Sequence, residues 1–84
     1  MQKTFAEERL FTVLSSILNV PLESLSLDSS RSSIEEWDSL NHLYVVLALE
    51  EEFNIEFSDD EIASLRTASG LRDALMAKTA ERTA

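Results

Sequence analysis

The fold is decided by residues 38–57, DSLNHLYVVLALEEEFNIEF, which hold the most apolar segment of the 84-residue chain. The apolar run Leu43–Leu49 is short enough for a buried strand, but the surrounding side chains recur at the spacing of a helix. One stripe at i, i+3, i+7 and i+11 consists of His42, Val45, Leu49 and Phe53. We therefore predict a helix over about 39–53 with Asp38 as its N-cap. Because this helix is apolar around most of its girth, we expect it to lie centrally in a bundle.

Upstream of this segment, the sequence predicts one helix followed by a long connection. The helix covers about 5–18 and ends at Asn19, which tolerates the left-handed conformation, and Pro21, which cannot continue a helix. The connection over 20–37 is rich in serine, which competes for backbone hydrogen bonds, so we expect no more than a short helical turn near 21–25. Four side chains are expected to anchor this connection to the core: Leu22, Leu25, Leu27 and Ile34.

Downstream of the central segment, capping residues predict two further helices. Ser58 and Glu61 are spaced as a capping box, in which each residue satisfies a backbone amide of the other, and they open a short helix over about 59–65. Thr67 is a suitable N-cap for a last helix over about 68–78.

Together, these segments predict a single all-α domain over residues 1–84, with a disordered tail at 79–84. The architecture expected is a four-helix bundle with a long first loop and a short third helix. One glycine and one proline in the whole chain argue against a small β-sandwich or barrel, which needs many turns.

The composition of the chain excludes several kinds of partner and site. Sixteen acidic and seven basic residues give a net charge of −9, which disfavours binding to nucleic acid and to anionic membranes. The longest apolar run is far shorter than the ~20 residues that span a bilayer. The absence of cysteine excludes disulfides and thiolate metal sites. We expect a cytoplasmic, monomeric protein without stable membrane association.

The acidic residues are segregated within the sequence. No lysine or arginine occurs between Arg31 and Arg66, whereas that stretch contains ten acidic residues. One interpretation is a solvated surface that keeps the protein soluble. The other is a docking face for basic partners, which would steer their encounter electrostatically. The sequence leaves both open.

Little catalytic apparatus can be found. His42 is the only histidine, and its i, i+3 spacing from Ser39 suggests a nucleophile and base, but no glycine-rich oxyanion turn accompanies the pair. The acidic run 56–61 lacks the ligand spacing and the glycine of an EF-hand. We therefore predict a non-enzymatic protein without a metal site, in which His42 is either a partly buried structural histidine or a surface histidine.

Ser39 has an unusual setting for a serine near a helix start. Because Asp38 takes the capping role, the Ser39 hydroxyl is left free at the first position of the most apolar helix. A phosphate ester on that hydroxyl would lie against unpaired amides and the positive end of the helix dipole. An ordinary helix-start serine is the alternative, because Asp-Ser-Leu tripeptides are frequent by chance.

Residues 38–57 closely resemble acyl carrier proteins. The resemblance includes the Asp-Ser-Leu motif at 38–40, the ALEEEF sequence at 48–53 in register with it, and the acid-opened helix at 58–61. Upstream, Leu18-Asn19-Val20 is similar to the family's Leu-Gly-Val at the same distance from the serine. The similarity extends over about 5–77, and the family fold is a four-helix bundle of the kind predicted above.

The resemblance implies that Ser39 carries a covalent 4′-phosphopantetheine arm, with Asp38, Leu40 and Trp37 flanking the attachment point. A phosphopantetheinyl transferase would move the arm from coenzyme A, and Mg²⁺ would be needed only by that transferase. The terminal thiol of the arm would then carry acyl groups as thioesters, which gives a cysteine-free chain thiol chemistry.

The resemblance also implies docking to an acyl ligase, ketosynthase or acyltransferase with a basic surface. The residues expected to contact partners lie on the second and third helices: Leu43, Tyr44, Leu47, Glu50, Glu51, Asp59, Asp60 and Ile62.

The chain departs from typical fatty-acid-synthesis carriers in three places. Ile34-Glu35-Glu36-Trp37 replaces a Leu-Gly-containing approach to the motif, and Asn41 and Tyr44 stand where acids are usual. Trp37 is interpreted either as a staple that packs the loop onto the helix or as a wall beside the arm. These departures favour a specialised carrier of lipid or polyketide-type secondary metabolism over a housekeeping one.

Two other functions remain open at the level of the sequence. The chain could be an aminoacyl or peptidyl carrier that an adenylating ligase loads. It could also be an acidic helical interaction module without a prosthetic group, which would never gain mass from coenzyme A.

Overall fold

A computed structural model of the chain describes the backbone of residues 5–83 and the side chains of residues 6–79. Its secondary structure is helical, and within these residues the one β-type pairing is an isolated antiparallel bridge between Ser30 and Thr67. The elements in chain order are α1 (Phe5–Leu18), a 3₁₀ turn (Leu22–Ser24), α2 (Ser39–Phe53), α3 (Asp59–Ser64) and α4 (Ala68–Thr83). The all-α, four-helix prediction is confirmed. None of the described helices is long and apolar enough to cross a membrane.

The helix ends follow the local chemistry predicted for them. The Asp38 carboxylate accepts the Asn41 N–H at 2.8 Å and so caps α2. At α3, both halves of the capping box form: Ser58 Oγ accepts the Glu61 N–H at 3.1 Å, and Glu61 Oε1 accepts the Ser58 N–H at 2.8 Å. Asn19 has the left-handed conformation predicted at the end of α1, with φ of 58°.

The last helix is longer than the sequence suggests. Thr67 Oγ1 accepts the Gly70 N–H at 3.0 Å, as expected for the N-cap. The helix then continues to Thr83 rather than ending near Lys78, because no glycine or proline follows Gly70. The tail predicted at 79–84 falls mostly on residues whose side chains lie outside the described part of the chain.

The core forms where α1 packs against α2 and α4. The side chains that α2 buries are His42, Val45, Val46 and Leu49. The opposite face of α2 is open, however, so the prediction that α2 lies centrally in the bundle is wrong. The reason is geometric: a four-helix domain of this size has neighbours for only one side of α2, and its remaining apolar side chains stay in water.

The long connection is held against the start of α4 by backbone hydrogen bonds. Ser29 O accepts the Ala68 N–H at 2.9 Å, and Arg66 O accepts the Arg31 N–H at 3.0 Å. As predicted, Leu25 is buried and Leu27 and Ile34 pack against the core. Leu22 does not anchor the loop: it is 52% exposed, because it lies in the 3₁₀ turn, none of whose residues is buried.

Candidate functional site

Ser39 is the first residue of α2, and its side chain is exposed. Since the carboxylate of Asp38 caps the helix, the Ser39 hydroxyl is not consumed in capping. That hydroxyl accepts a hydrogen bond from Arg31 Nη2 at 3.2 Å. Asn41 fixes the approach to the helix, because its Nδ2 donates to Glu36 O at 2.8 Å. The sequence-predicted position of Ser39, exposed at a helix N-terminus, is therefore observed.

A shallow pocket of about 340 Å³ opens beside Ser39. Its lining residues are Arg31, Ser32, Glu35, Trp37, Asp38, Ser39 and Arg66. Arg31 and Arg66, the two ends of the stretch without basic residues, thus line the same pocket as Ser39. Sequence reasoning noted the stretch but missed this arrangement, because it depends on the pairing of the loop with the start of α4.

The electrostatics around the Ser39 hydroxyl favour a negatively charged substituent. The hydroxyl lies at the positive end of the α2 dipole, where the first-turn amides have no partners within the helix. Arg31 and Arg66 add two cationic side chains to the same pocket. The site thus fits a phosphate ester on Ser39.

Behind the pocket, Trp37 and His42 form a buried polar chain. Trp37 is 1% exposed, and its Nε1–H donates to His42 Nδ1 at 3.0 Å. Since Nδ1 accepts, Nε2 carries the ring proton and donates to Ile62 O at 2.8 Å. The chain links the loop before α2 to the backbone of α3. Of the two interpretations of Trp37, its burial supports the staple.

His42 is neutral and unable to activate Ser39. Burial lowers the pKa of His42, the hydrogen bond to Ile62 opposes this, and the positive charges of Arg31 and Arg66 add to the lowering. Both ring nitrogens are already engaged, one with Trp37 and one with Ile62. The Ser39–His42 pair that the sequence suggests is therefore not a nucleophile and its base.

The exposed face of α2 carries an apolar stripe next to the site. Its large side chains, all between 43% and 59% exposed, are Leu40, Leu43, Tyr44 and Leu47. They recur at i, i+3, i+4 and i+7, so they share one side of the helix. An exposed apolar stripe rimmed by polar groups is typical of a protein-binding surface.

The acidic residues predicted to contact partners differ in exposure and in the hydrogen bonds they make within the protein. Glu51, Asp59 and Asp60 are exposed. Glu50 is only half-exposed, and its Oε2 accepts the Phe57 N–H at 2.8 Å, which ties the chain after α2 to the helix. Ile62 is half-buried and packs against the core. Glu50 and Ile62 thus have structural contacts in addition to any role in docking.

Comparison with known proteins agrees with this geometry. Residues 8–75 match the family model described as "Phosphopantetheine attachment site". An acyl carrier protein of Buchnera aphidicola subsp. Schizaphis graminum is 34% identical over 61 residues, which cover 73% of this chain and 77% of that protein. One from Buchnera aphidicola subsp. Acyrthosiphon pisum is 32% identical over 76 residues, covering 90% and 95%. One from Thermosynechococcus vestitus is 30% identical over 73 residues, covering 87% and 90%.

The match extends across α1 to α4 and includes the whole of the site described above. Members of this family carry a covalently attached 4′-phosphopantetheine group, which a phosphopantetheinyl transferase attaches. They interact with pathway enzymes as carriers and are not enzymes themselves. The fold, the exposed serine at the start of α2 and the similarity over most of the sequence agree: the chain belongs to the acyl carrier protein family.

Proposed function

We propose that this protein holds acyl intermediates as thioesters on a 4′-phosphopantetheine arm attached to Ser39, and presents them to the enzymes of a specialised lipid or secondary-metabolite pathway. The observation that carries the proposal is the exposed Ser39 hydroxyl, left free by the Asp38 cap at the first residue of α2. Leu40 follows on the exposed face, where an approaching transferase can contact it. The carrier domain is proposed to cover residues 1–84 and to act in the cytoplasm.

Attachment requires a nucleophilic hydroxyl and an accessible approach to it. Ser39 Oγ would form a bond to the phosphorus that bears pantetheine in coenzyme A, and the pyrophosphate bond would break with adenosine 3′,5′-bisphosphate as the leaving group. The proton of the hydroxyl would pass to a base of the transferase, since His42 is engaged on both ring nitrogens. When bound, the arm supplies a thiol for thioester chemistry.

A specialised role is supported by the residues next to the attachment point. Asn41 uses its side chain to hold Glu36 O, and Tyr44 is half-exposed within the apolar stripe of α2. Typical fatty-acid-synthesis carriers have acids at these two positions, so this chain presents a less charged surface close to Ser39. Partners that fit it need apolar contacts beside Ser39 as well as basic residues further along the helix.

The loading experiment tests the proposed function directly. The protein is incubated with coenzyme A, Mg²⁺ and a broad-range phosphopantetheinyl transferase, and its intact mass and thiol content are measured. We expect a gain of one phosphopantetheine group and one titratable thiol per chain, which is diagnostic because the chain has no cysteine. An absence of mass gain would leave the interaction module as the better account.

The cargo class is tested on the loaded protein. The thiol is offered to an acyl-activating ligase and, separately, to an aminoacyl-adenylating ligase, and thioester formation is followed by mass. We expect acyl thioesters. Exclusive aminoacyl loading would replace the proposed acyl carrier with the aminoacyl or peptidyl carrier.

Docking is proposed to use the exposed stripe of α2. Leu47→Ala is expected to lower the kcat/KM of the transferase about tenfold, because burying a leucine side chain against a partner contributes roughly 1.5–3 kcal/mol. Leu22→Ala is the matched control, since Leu22 and Leu47 are each 52% exposed and lie on different elements. Equal losses in the two variants would show that the stripe has no special role.

The acidic residues are tested in the same assay as a second part of the docking surface. Glu51→Lys is expected to lower kcat/KM and to weaken its dependence on salt, because exposed charges are screened beyond ~10 Å at 0.1 M ionic strength. Glu23→Lys, an equally charged change at an exposed site on the 3₁₀ turn, serves as control. Glu50 is left unchanged because it holds the Phe57 amide. If Glu51→Lys and Glu23→Lys behave alike, the acidity serves solubility.

A further inference from the structure

We propose that Arg31 and Arg66 form a clamp that holds the phosphodiester at the root of the pantetheine arm. The proposal deepens the function above and rests on attachment of the arm to Ser39. Both arginines line the pocket that Ser39 borders. In the sequence, these two arginines are notable only because no basic residue lies between them.

The edge of the Arg31 guanidinium that faces Ser39 has one donor in use and one without a partner. Nη2 donates to Ser39 Oγ at 3.2 Å. Nε–H lies on the same edge of the guanidinium as Nη2, is buried, and has no hydrogen-bond partner among the described residues. A buried donor without an acceptor costs free energy, so such a group in a native protein needs an explanation, of which an absent anion is one.

This edge matches the group that the proposed function places on Ser39. The Nε and Nη2 donors of arginine form a planar fork that binds two oxygens of a phosphate at once. Since Nη2 already donates to Ser39 Oγ, which would become the ester oxygen, the same fork would be the group to hold a phosphate attached there. The phosphodiester therefore supplies the acceptor that Nε lacks.

Arg31 and Arg66 differ from the other described basic residues in making no ion pair with a carboxylate. Within the described side chains, Arg9, Arg72 and Lys78 each pair with a carboxylate, namely those of Glu52, Glu7 and Glu61. In the same part of the chain, neither Arg31 nor Arg66 makes such an ion pair, although Glu35 and Asp38 line their pocket. In a chain of net charge −9, two such cations beside one exposed serine mark an anion site.

The field of both arginines is also felt at the buried histidine behind the pocket. Arg31 and Arg66 each help to lower the pKa of His42, which agrees with their place in the pocket beside the start of α2. Their field adds to that of the helix dipole, which acts over the first turn only. The clamp would fix the root of the arm at the N-terminus of α2 and leave the rest of the arm free to move.

The clamp is tested on the full-length protein after loading from coenzyme A. The ³¹P resonance of the phosphodiester is recorded in the native state, and in concentrated urea as the reference for an unheld phosphate. We expect the native resonance to differ from the urea reference and to move towards it as salt is raised. Arg31→Gln and Arg66→Gln should each lower the ratio of held to free phosphate about tenfold, because charge-assisted hydrogen bonds contribute on that order.

Two control variants separate the clamp from general effects of charge. Arg9→Gln removes one positive charge away from the pocket and should leave the ³¹P resonance at the wild-type position. Arg31→Lys keeps the charge but loses the fork, so it should give an intermediate position. Circular dichroism of each variant checks that the helices are retained.

A second readout uses wild-type protein alone and so does not depend on whether the transferase loads the variants. In wild-type protein, the Arg31 Nε–Hε resonance should shift and exchange more slowly with solvent once the arm is attached. An unchanged Arg31 resonance, or a native ³¹P resonance at the urea position, would overturn the clamp while leaving attachment intact. Failure of wild-type protein to gain the arm would overturn both proposals, and the intact mass distinguishes that result.

Discussion

Replacing Ser39 with alanine is expected to abolish loading of this protein from coenzyme A. Oγ is the atom proposed to bond to phosphorus, and alanine has no nucleophile at that position. The fold should persist, because the Ser39 side chain is exposed and the α2 cap comes from Asp38. Intact mass after incubation with the transferase is the measurement, and we expect no phosphopantetheine on the variant.

A matched serine shows whether the loss is specific. Ser64→Ala removes an exposed hydroxyl from α3 and should be loaded to the wild-type extent. Because Ser64 does not line the pocket beside Ser39, this control leaves that pocket unchanged. Loading of Ser39→Ala equal to that of Ser64→Ala would place the arm on another residue.

The second large effect concerns stability. Trp37→Ala is expected to lower the free energy of unfolding by about 3–5 kcal/mol, because it removes a fully buried aromatic side chain and leaves a cavity. Domains have stabilities of roughly 0.05–0.15 kcal/mol per residue, so the loss is a large share of the roughly 4–13 kcal/mol expected for a chain of this length. Urea unfolding followed by far-ultraviolet circular dichroism measures it without using tryptophan fluorescence.

A conservative substitution isolates the polar part of this effect. Trp37→Phe keeps most of the buried surface but removes the donor to His42 Nδ1, and should cost about 1–3 kcal/mol as a lost buried hydrogen bond. Leu22→Ala, on an exposed side chain, should change stability by no more than about 0.5 kcal/mol. If Trp37→Ala were no less stable than Leu22→Ala, the staple interpretation would be wrong.

The helices could be predicted from the sequence because their limits depend on local chemistry. The carboxylate of Asp38 and the capping box of Ser58 and Glu61 bond to amides three residues away. Asn19 adopts the left-handed conformation because asparagine tolerates it at a helix end. Such signals need no knowledge of the tertiary structure.

The composition of the site could not be predicted in the same way. Arg31 and Arg66 are 35 positions apart, and their meeting depends on backbone pairing between the loop and the start of α4. The outward face of α2 and the exposure of Leu22 likewise depend on which neighbours a small bundle can provide. Apolar periodicity identifies a helix, but in α2 it does not distinguish the buried face from an exposed docking face.

The most direct test of the central claim is to locate the arm by fragmentation mass spectrometry of the loaded protein. The stretch between Arg31 and Arg66 contains several serines, so intact mass alone does not identify the site. We predict one phosphopantetheine group, with fragment ions that place it on Ser39. Fragment ions that place it on any other residue, or a protein that remains unmodified, would contradict the account.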